Sequence, residues 1–175
     1  YLEYYDLADS NVYHFKDVWE KDENGENVEF DSAIAAAVVP SHGVKMYIIS
    51  PAADVEENSY VISNIEKTNL RAGESTILTV KYKNCGLKMV EDVGISLSLP
   101  EGFTARAITS TVASELLTGE EFTVQYVITA GQDAASNVPI TARANYLYEG
   151  NNEADTQFFD CLVSVSGGAT GEPVA

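Results

Sequence analysis

From Tyr60 onward, apolar and polar residues alternate with a period of two, the spacing that sends successive side chains to opposite faces of a β-strand. In STILTVKY the apolar set is Leu78, Val80 and Tyr82, with Thr79 and Lys81 turned away. In VGISLSLP it is Ile95, Leu97 and Leu99, with Ser96 and Ser98 outside; in EFTVQYVIT it is Phe122, Val124, Tyr126 and Ile128. PITARANYLY sets Ile140, Ala142, Ala144 and Tyr146 against Thr141, Arg143 and Asn145, and FFDCLVSV contributes Phe159, Cys161, Val163 and Val165. Each run predicts a strand with one dry and one wet face. Turn-forming stretches separate them: RAGE, NCG, PEG, LTGE, AGQD and EGNN.

Strands at this spacing predict an immunoglobulin-like antiparallel β-sandwich of about seven strands, here over residues 59–166. The first 50 residues carry a different β pattern. NVYHFKDVWEK places Val12, His14, Lys16 and Val18 on one side and Tyr13, Phe15, Asp17 and Trp19 on the other. Asn24-Gly25 predicts a type I′ hairpin turn. AIAAAVV predicts a short strand closed by PSHG, and VKMYIIS a strand buried on both sides. Residues 51–58, PAADVEEN, read as a linker, and 167–175 as a flexible tail. TVASELLTG allows one helical turn at most. The expected class is all-β: an Ig-like antiparallel sandwich preceded by a partial antiparallel β-domain over residues 1–50.

Composition narrows the function classes. Of 175 residues, 27 are acidic and 10 basic, a net charge of −17. That surface argues against nucleic acid and anionic membranes as partners. There is no apolar run long enough to span a bilayer as a helix. The chain opens in mid-pattern at YLEYYDL, without an initiating methionine, as expected of a piece of a longer protein. Cys85 and Cys161 lack the CxxC spacing of a zinc site.

Two resemblances follow from these residues. FKDVWEKDENGENVEFDSAIAAAVVPSHGVKMYII resembles the end of the C-terminal β-domain of family 27 glycoside hydrolases, the α-galactosidases. It carries Asp17-Val18-Trp19, Gly25, and Val39-Pro40-Ser41-His42-Gly43-Val44 in that family's order, with a longer and more acidic hairpin. The second half, with Ala72-Gly73-Glu74-Ser75, LTVKYKNCG, EDVGISLSLPEGF and LLTGEEFTVQYVITAGQDA, is similar to the α-galactosidase-associated (NPCBM-associated) sandwich domain; Phe103 stands where tryptophan is common. The resemblance implies that the catalytic aspartates lie in a barrel preceding this region. Nothing here matches their motifs.

The candidate sites divide accordingly. Asp17, Trp19 and His42 combine a carboxylate, an aromatic ring and an imidazole, the groups of sugar chemistry. Parity with Phe15 makes Trp19 a core ring, and His42 is an ordinary turn residue. Asp22, Glu23, Glu26, Glu29 and Asp31 suggest calcium, but an EF-hand loop from Asp22 would need glycine and glutamate where Asn27 and Ala33 stand. They read as a solvated hairpin tip. Among the tyrosines, Tyr4, Tyr5, Tyr13, Tyr126 and Tyr146 offer rings, the last two on dry faces. Tyr148, beside EGNN, and Trp19 are the candidate carbohydrate contacts. Cys85 and Cys161 stand either bridged or as two reduced thiols.

The expected function is a non-catalytic accessory region of a secreted or cell-surface bacterial α-galactosidase-like glycosidase. No catalytic residue, metal or cofactor is expected. The expected partners are the upstream catalytic domain of the parent chain, carbohydrate, and a second copy through open strand edges. The alternatives are a carbohydrate-binding module and an Ig-like stalk or adhesion module.

Overall fold

The computed structural model describes residues 11–35, 39, 41–148, 152–156 and 160–167, and those residues contain strands and no helix. Tyr4, Tyr5, Pro40, Phe159 and the tail beyond residue 167 lie outside them.

Strands β1 (Tyr13–Lys21), β2 (Asn27–Ser32) and β3 (Tyr47–Pro51) form a small antiparallel sheet in the order β2-β1-β3. Its covered face carries three rings. Phe15 stacks on Phe30 at 5.2 Å, and Tyr47 meets both edge-on at 6.0 Å. The other face is wet and cross-paired, with His14 opposite Asp31 and Lys16 opposite Glu29.

Several readings of this region change. Only Gly25 in the β1–β2 loop has positive φ. A type I′ pair needs two such residues, so the turn is instead built by Asp22, whose carboxylate accepts the Asn24 and Glu26 N–H groups. Ala33, Ile34, Ala35 and Val39 are not in a strand, and the Ser32 hydroxyl accepts the Ile34 N–H where β2 ends. VKMYIIS is not buried on both sides. It supplies an edge strand, and Val44, Met46 and Ile48 stand 68%, 50% and 60% exposed.

The remaining strands build a β-sandwich. One sheet has the order β4-β6-β10-β8, from β4 (Ser59–Ile65), β6 (Ser75–Asn84), β10 (Glu121–Thr129) and β8 (Thr104–Ala107). The other has the order β5-β13-β11-β7-β9, from β5 (Asn69–Arg71), β13 (Asp160–Ser166), β11 (Ala135–Tyr148), β7 (Val90–Ser98) and β9 (Val112–Leu116). β12 (Asn152–Asp155) pairs with the end of β11. TVASELLTG thus contributes a strand rather than a helical turn.

The inner faces follow the alternation. Leu78, Val80, Tyr82, Val124, Ile128, Ile140, Ala142 and Ala144 have no exposed surface. Burying one large aliphatic side chain contributes about 1.5–3 kcal/mol, which makes this shared layer the main stabilising term. Phe103 is half-buried and bridges this core to a second cluster of Leu70, Ala130 and Val165.

One end of the sandwich is held by a buried amide. Asn84 is fully buried; its Nδ2 donates to the carbonyls of Lys88 and Leu116, and its Oδ1 accepts the Gly86 N–H. Asn84→Ala removes the buried hydrogen bonds to the Leu116 C=O and from the Gly86 N–H and should cost about 1–3 kcal/mol. A urea titration checks it; an unchanged midpoint would show that water replaces the amide freely.

Candidate functional site: the junction between the two β-units

The most built feature outside the core is the segment from Ala52 to Asn58, which the sequence presents as a linker. It is a strap with bonds on both sides. Toward the sandwich, Cys85 N–H donates to Asn58 C=O (2.8 Å), Leu87 N–H to Val55 C=O (3.2 Å) and Lys88 N–H to Glu56 C=O (3.1 Å). The approach is close because residue 86 has no side chain: a Cβ there would lie 2.4 Å from Glu56 O and 2.9 Å from Asn58 N. Toward the small sheet, Ala52 N–H donates to Val12 C=O (3.0 Å). Asn11 N–H donates to Asp54 Oδ1 (2.7 Å), Asn11 Nδ2 donates to Val55 C=O (3.0 Å), and Asn58 Nδ2 donates to Asn11 C=O (3.0 Å).

Two tyrosines of β11 reach the strap carboxylates. The Tyr146 hydroxyl donates to Glu57, and that of Tyr148 to Glu56 at 3.1 Å. Tyr146 meets Tyr82 edge-on at 5.7 Å, and Tyr82 shares a 2.7 Å hydrogen bond with Ser59 at the head of β4. Burial, then the neighbouring Glu57 carboxylate, holds the Tyr146 hydroxyl well above its ordinary pKa, so it remains a donor. Tyr148, a candidate sugar contact by sequence, is half-buried against the core and braces the strap.

The second polar centre is Asp17, almost wholly buried. Its Oδ1 accepts the N–H groups of Trp19 (2.9 Å) and Glu20 (2.8 Å), and its Oδ2 pairs with Lys45 at 2.7 Å. The Glu20 N–H bond, then the Lys45 hydrogen bond, hold its pKa down at about 2. Lys45 is held above its ordinary range by Asp17 and then Glu20, and lies 5.9 Å over the Tyr47 ring. Asp17 thereby turns the backbone, and the β1–β2 register shifts between Lys16 and Lys21. This corrects the core placement of Trp19, which is 51% exposed: parity assumed a regular ladder, and Trp19 lies inside the register shift.

Elsewhere, a β-bulge forms where Asp92 takes φ 50°, shifting register between Asn145 and Leu147. Beside it opens a cleft of about 580 Å³ lined by Asp92, Asn145, Tyr146, Leu147, Glu153 and Ala154. The even alternation of apolar residues held no sign of it. His42 is exposed in its turn with φ 62°. Asp22, Glu23, Glu26 and Asp31 are solvent-exposed on the small sheet, and Glu29 pairs with Lys16 and His14. Tyr126 is buried and donates to Ile95 C=O, and Tyr13 is buried. Cys85 and Cys161 are both free thiols, each raised in pKa chiefly by burial. Among the described residues, no three His, Cys, Asp or Glu side chains gather to hold a metal, and no helix is long and apolar enough to cross a membrane.

Comparison with known proteins bears on the sandwich. Residues 70–147 match the family model described as the NPCBM-associated, NEW3 domain of alpha-galactosidase. No curated protein matches the chain. Among solved structures, the chain is similar to AvmM, described as catalysing macrocyclization in alchivemycin A biosynthesis. The TM-score is 0.51 at 13% identity, covering 69% of this chain and 94% of that one. The GAE domain of GGA2p from Saccharomyces cerevisiae gives 0.46 at 9% identity, covering 64% and 94%. The AvmM likeness is one of fold.

Two outcomes test the junction. Gly86→Ala forces the strap backbone aside and should destabilise the protein by about 1–3 kcal/mol; an unchanged melting curve would mean the strap is not seated. Asp17 makes a pH window. Its pKa is depressed in the folded state, so its stabilisation is complete above the unfolded value near 4 and is lost as pH falls toward about 2. Phe15 and Phe30 resonances followed by NMR should therefore broaden between about pH 4 and 2, and Asp17→Asn should flatten that dependence. An identical profile in the variant would remove Asp17 as its cause.

Proposed function

We propose that this chain is a non-catalytic accessory region of an α-galactosidase-like glycosidase, secreted or at the surface of a bacterium. It would set a sandwich module beside the end of a neighbouring β-domain. The observation that carries the reading is the match of residues 70–147 to the NPCBM-associated domain, falling inside the sandwich. The strap supports it, since a spacer that sets the position of its neighbour needs a junction bonded on both sides. The exposed stripe Val44, Met46 and Ile48, which leads into the edge strand β3, supports it as well. An exposed apolar edge of this kind is a surface for another polypeptide, and in this reading the upstream part of the parent chain covers it. A second copy pairing through the same edge is the other occupant to test.

A carbohydrate-binding role is the second reading, favoured by the exposed Trp19 ring. Sugars stack on open aromatic faces where polar anchors stand nearby. Glu20 follows Trp19 in the chain and is paired with Lys45.

Trp19 is the one tryptophan in the chain, so its fluorescence reports on that site alone. The purified protein should not hydrolyse aryl α-galactoside, and galactan titration should leave the Trp19 emission unchanged. Turnover lost on substituting Asp92 or Glu153 would replace the accessory reading with an enzymatic one. A saturable change in emission, together with calorimetric binding that disappears in Trp19→Ala, would establish the carbohydrate-binding reading.

A further inference from the structure

We infer that residues 52–58 are a latch coupling the small N-terminal sheet to the sandwich, with the Tyr146–Glu57 contact as its catch. The inference does not depend on the glycosidase reading. The strap is attached mainly by polar contacts: three backbone bonds to residues 85–88, one to Val12, the Asn11 backbone and side chain, and the Tyr148–Glu56 bond. Its one large apolar residue, Val55, is 40% exposed. Water replaces exposed backbone bonds at little net cost, so such a segment opens locally without unfolding the core.

The catch differs because it is anchored in that core. The Tyr146 ring is 3% exposed and packs on Tyr82. Its hydroxyl points to Glu57, and lifting the strap takes away that charged acceptor. A hydrogen bond to a charged group is worth more than a neutral one, so this contact ties strap opening to a rigid layer. Opening also releases Asp54 from Asn11 and Ala52 from Val12, the residues that lead into and out of the small sheet. The Tyr146 contact thereby joins the Tyr148–Glu56 bond and the three backbone bonds in holding the sheet to the sandwich.

Hydrogen exchange on the whole chain tests this with Tyr146→Phe, which keeps the ring, and Glu57→Ala, which leaves the core untouched. Each should speed exchange of the Leu87, Lys88 and Ala52 amides roughly tenfold, the size of one hydrogen bond to a charged acceptor. The double variant should add nothing further, since both remove the same contact. Amides of β10 should be unchanged. Unaltered exchange, additive effects, or release at Leu87 and Lys88 with Ala52 still protected would overturn the latch. So would equal loosening of β10. If Tyr146→Phe fails to fold, Glu57→Ala decides alone.

Discussion

The buried amide of Asn84 sets the geometry on which the junction depends. At the end of β6 it satisfies the carbonyls of Lys88 and Leu116 and the Gly86 N–H. The loop from Cys85 to Lys88 is held with the Gly86 N–H on Asn84 and the N–H groups of Cys85, Leu87 and Lys88 turned to the strap. Those three N–H groups donate to carbonyls of the strap, and Asn11 donates to Asp54 of the strap. A chain of polar contacts thus runs from the core of one sheet system to the first strand of the other. Buried polar groups are costly when unpaired, so the Asn84 amide favours the one loop arrangement that satisfies it.

The two β-units are stabilised by different means. The sandwich has two apolar faces that share one buried cluster. The small sheet has three strands, one aromatic cluster and one nearly buried ion pair, Asp17–Lys45. A sheet of that size buries little surface. The strap adds polar contacts at Asn11 and Val12, and Val44, Met46 and Ile48 stand exposed at and before β3.

The acidic character of the chain is distributed in a way that fits this division. Several carboxylates work within the structure. Asp17, Asp22 and Glu74 accept backbone N–H groups, while Glu56 and Glu57 hold tyrosine hydroxyls. Others pair with lysines across strands, as Glu121 does with Lys81 and Lys83. Exposed pairs of this kind contribute little each; the backbone-capping carboxylates matter more because they shape the turns.

The inward faces were legible in the sequence because alternation is a local property. Leu78, Val80 and Tyr82, or Ile140, Ala142 and Ala144, can share one face of a strand only as they do. The match of residues 70–147 spans those same runs. What tertiary structure decided lies where a side chain bonds to backbone and breaks the period. Asp17 captures the N–H groups of Trp19 and Glu20 where the register shifts, and Trp19 stands exposed. Asp92 takes a left-handed conformation and opens the cleft beside β11. Glu56 and Glu57, polar residues in an apparent linker, find tyrosines 92 and 89 positions away. Periodicity carries which face a residue occupies along an unbroken strand. It carries nothing about a hydrogen bond to a distant partner, whose geometry exists only once both sheets are packed.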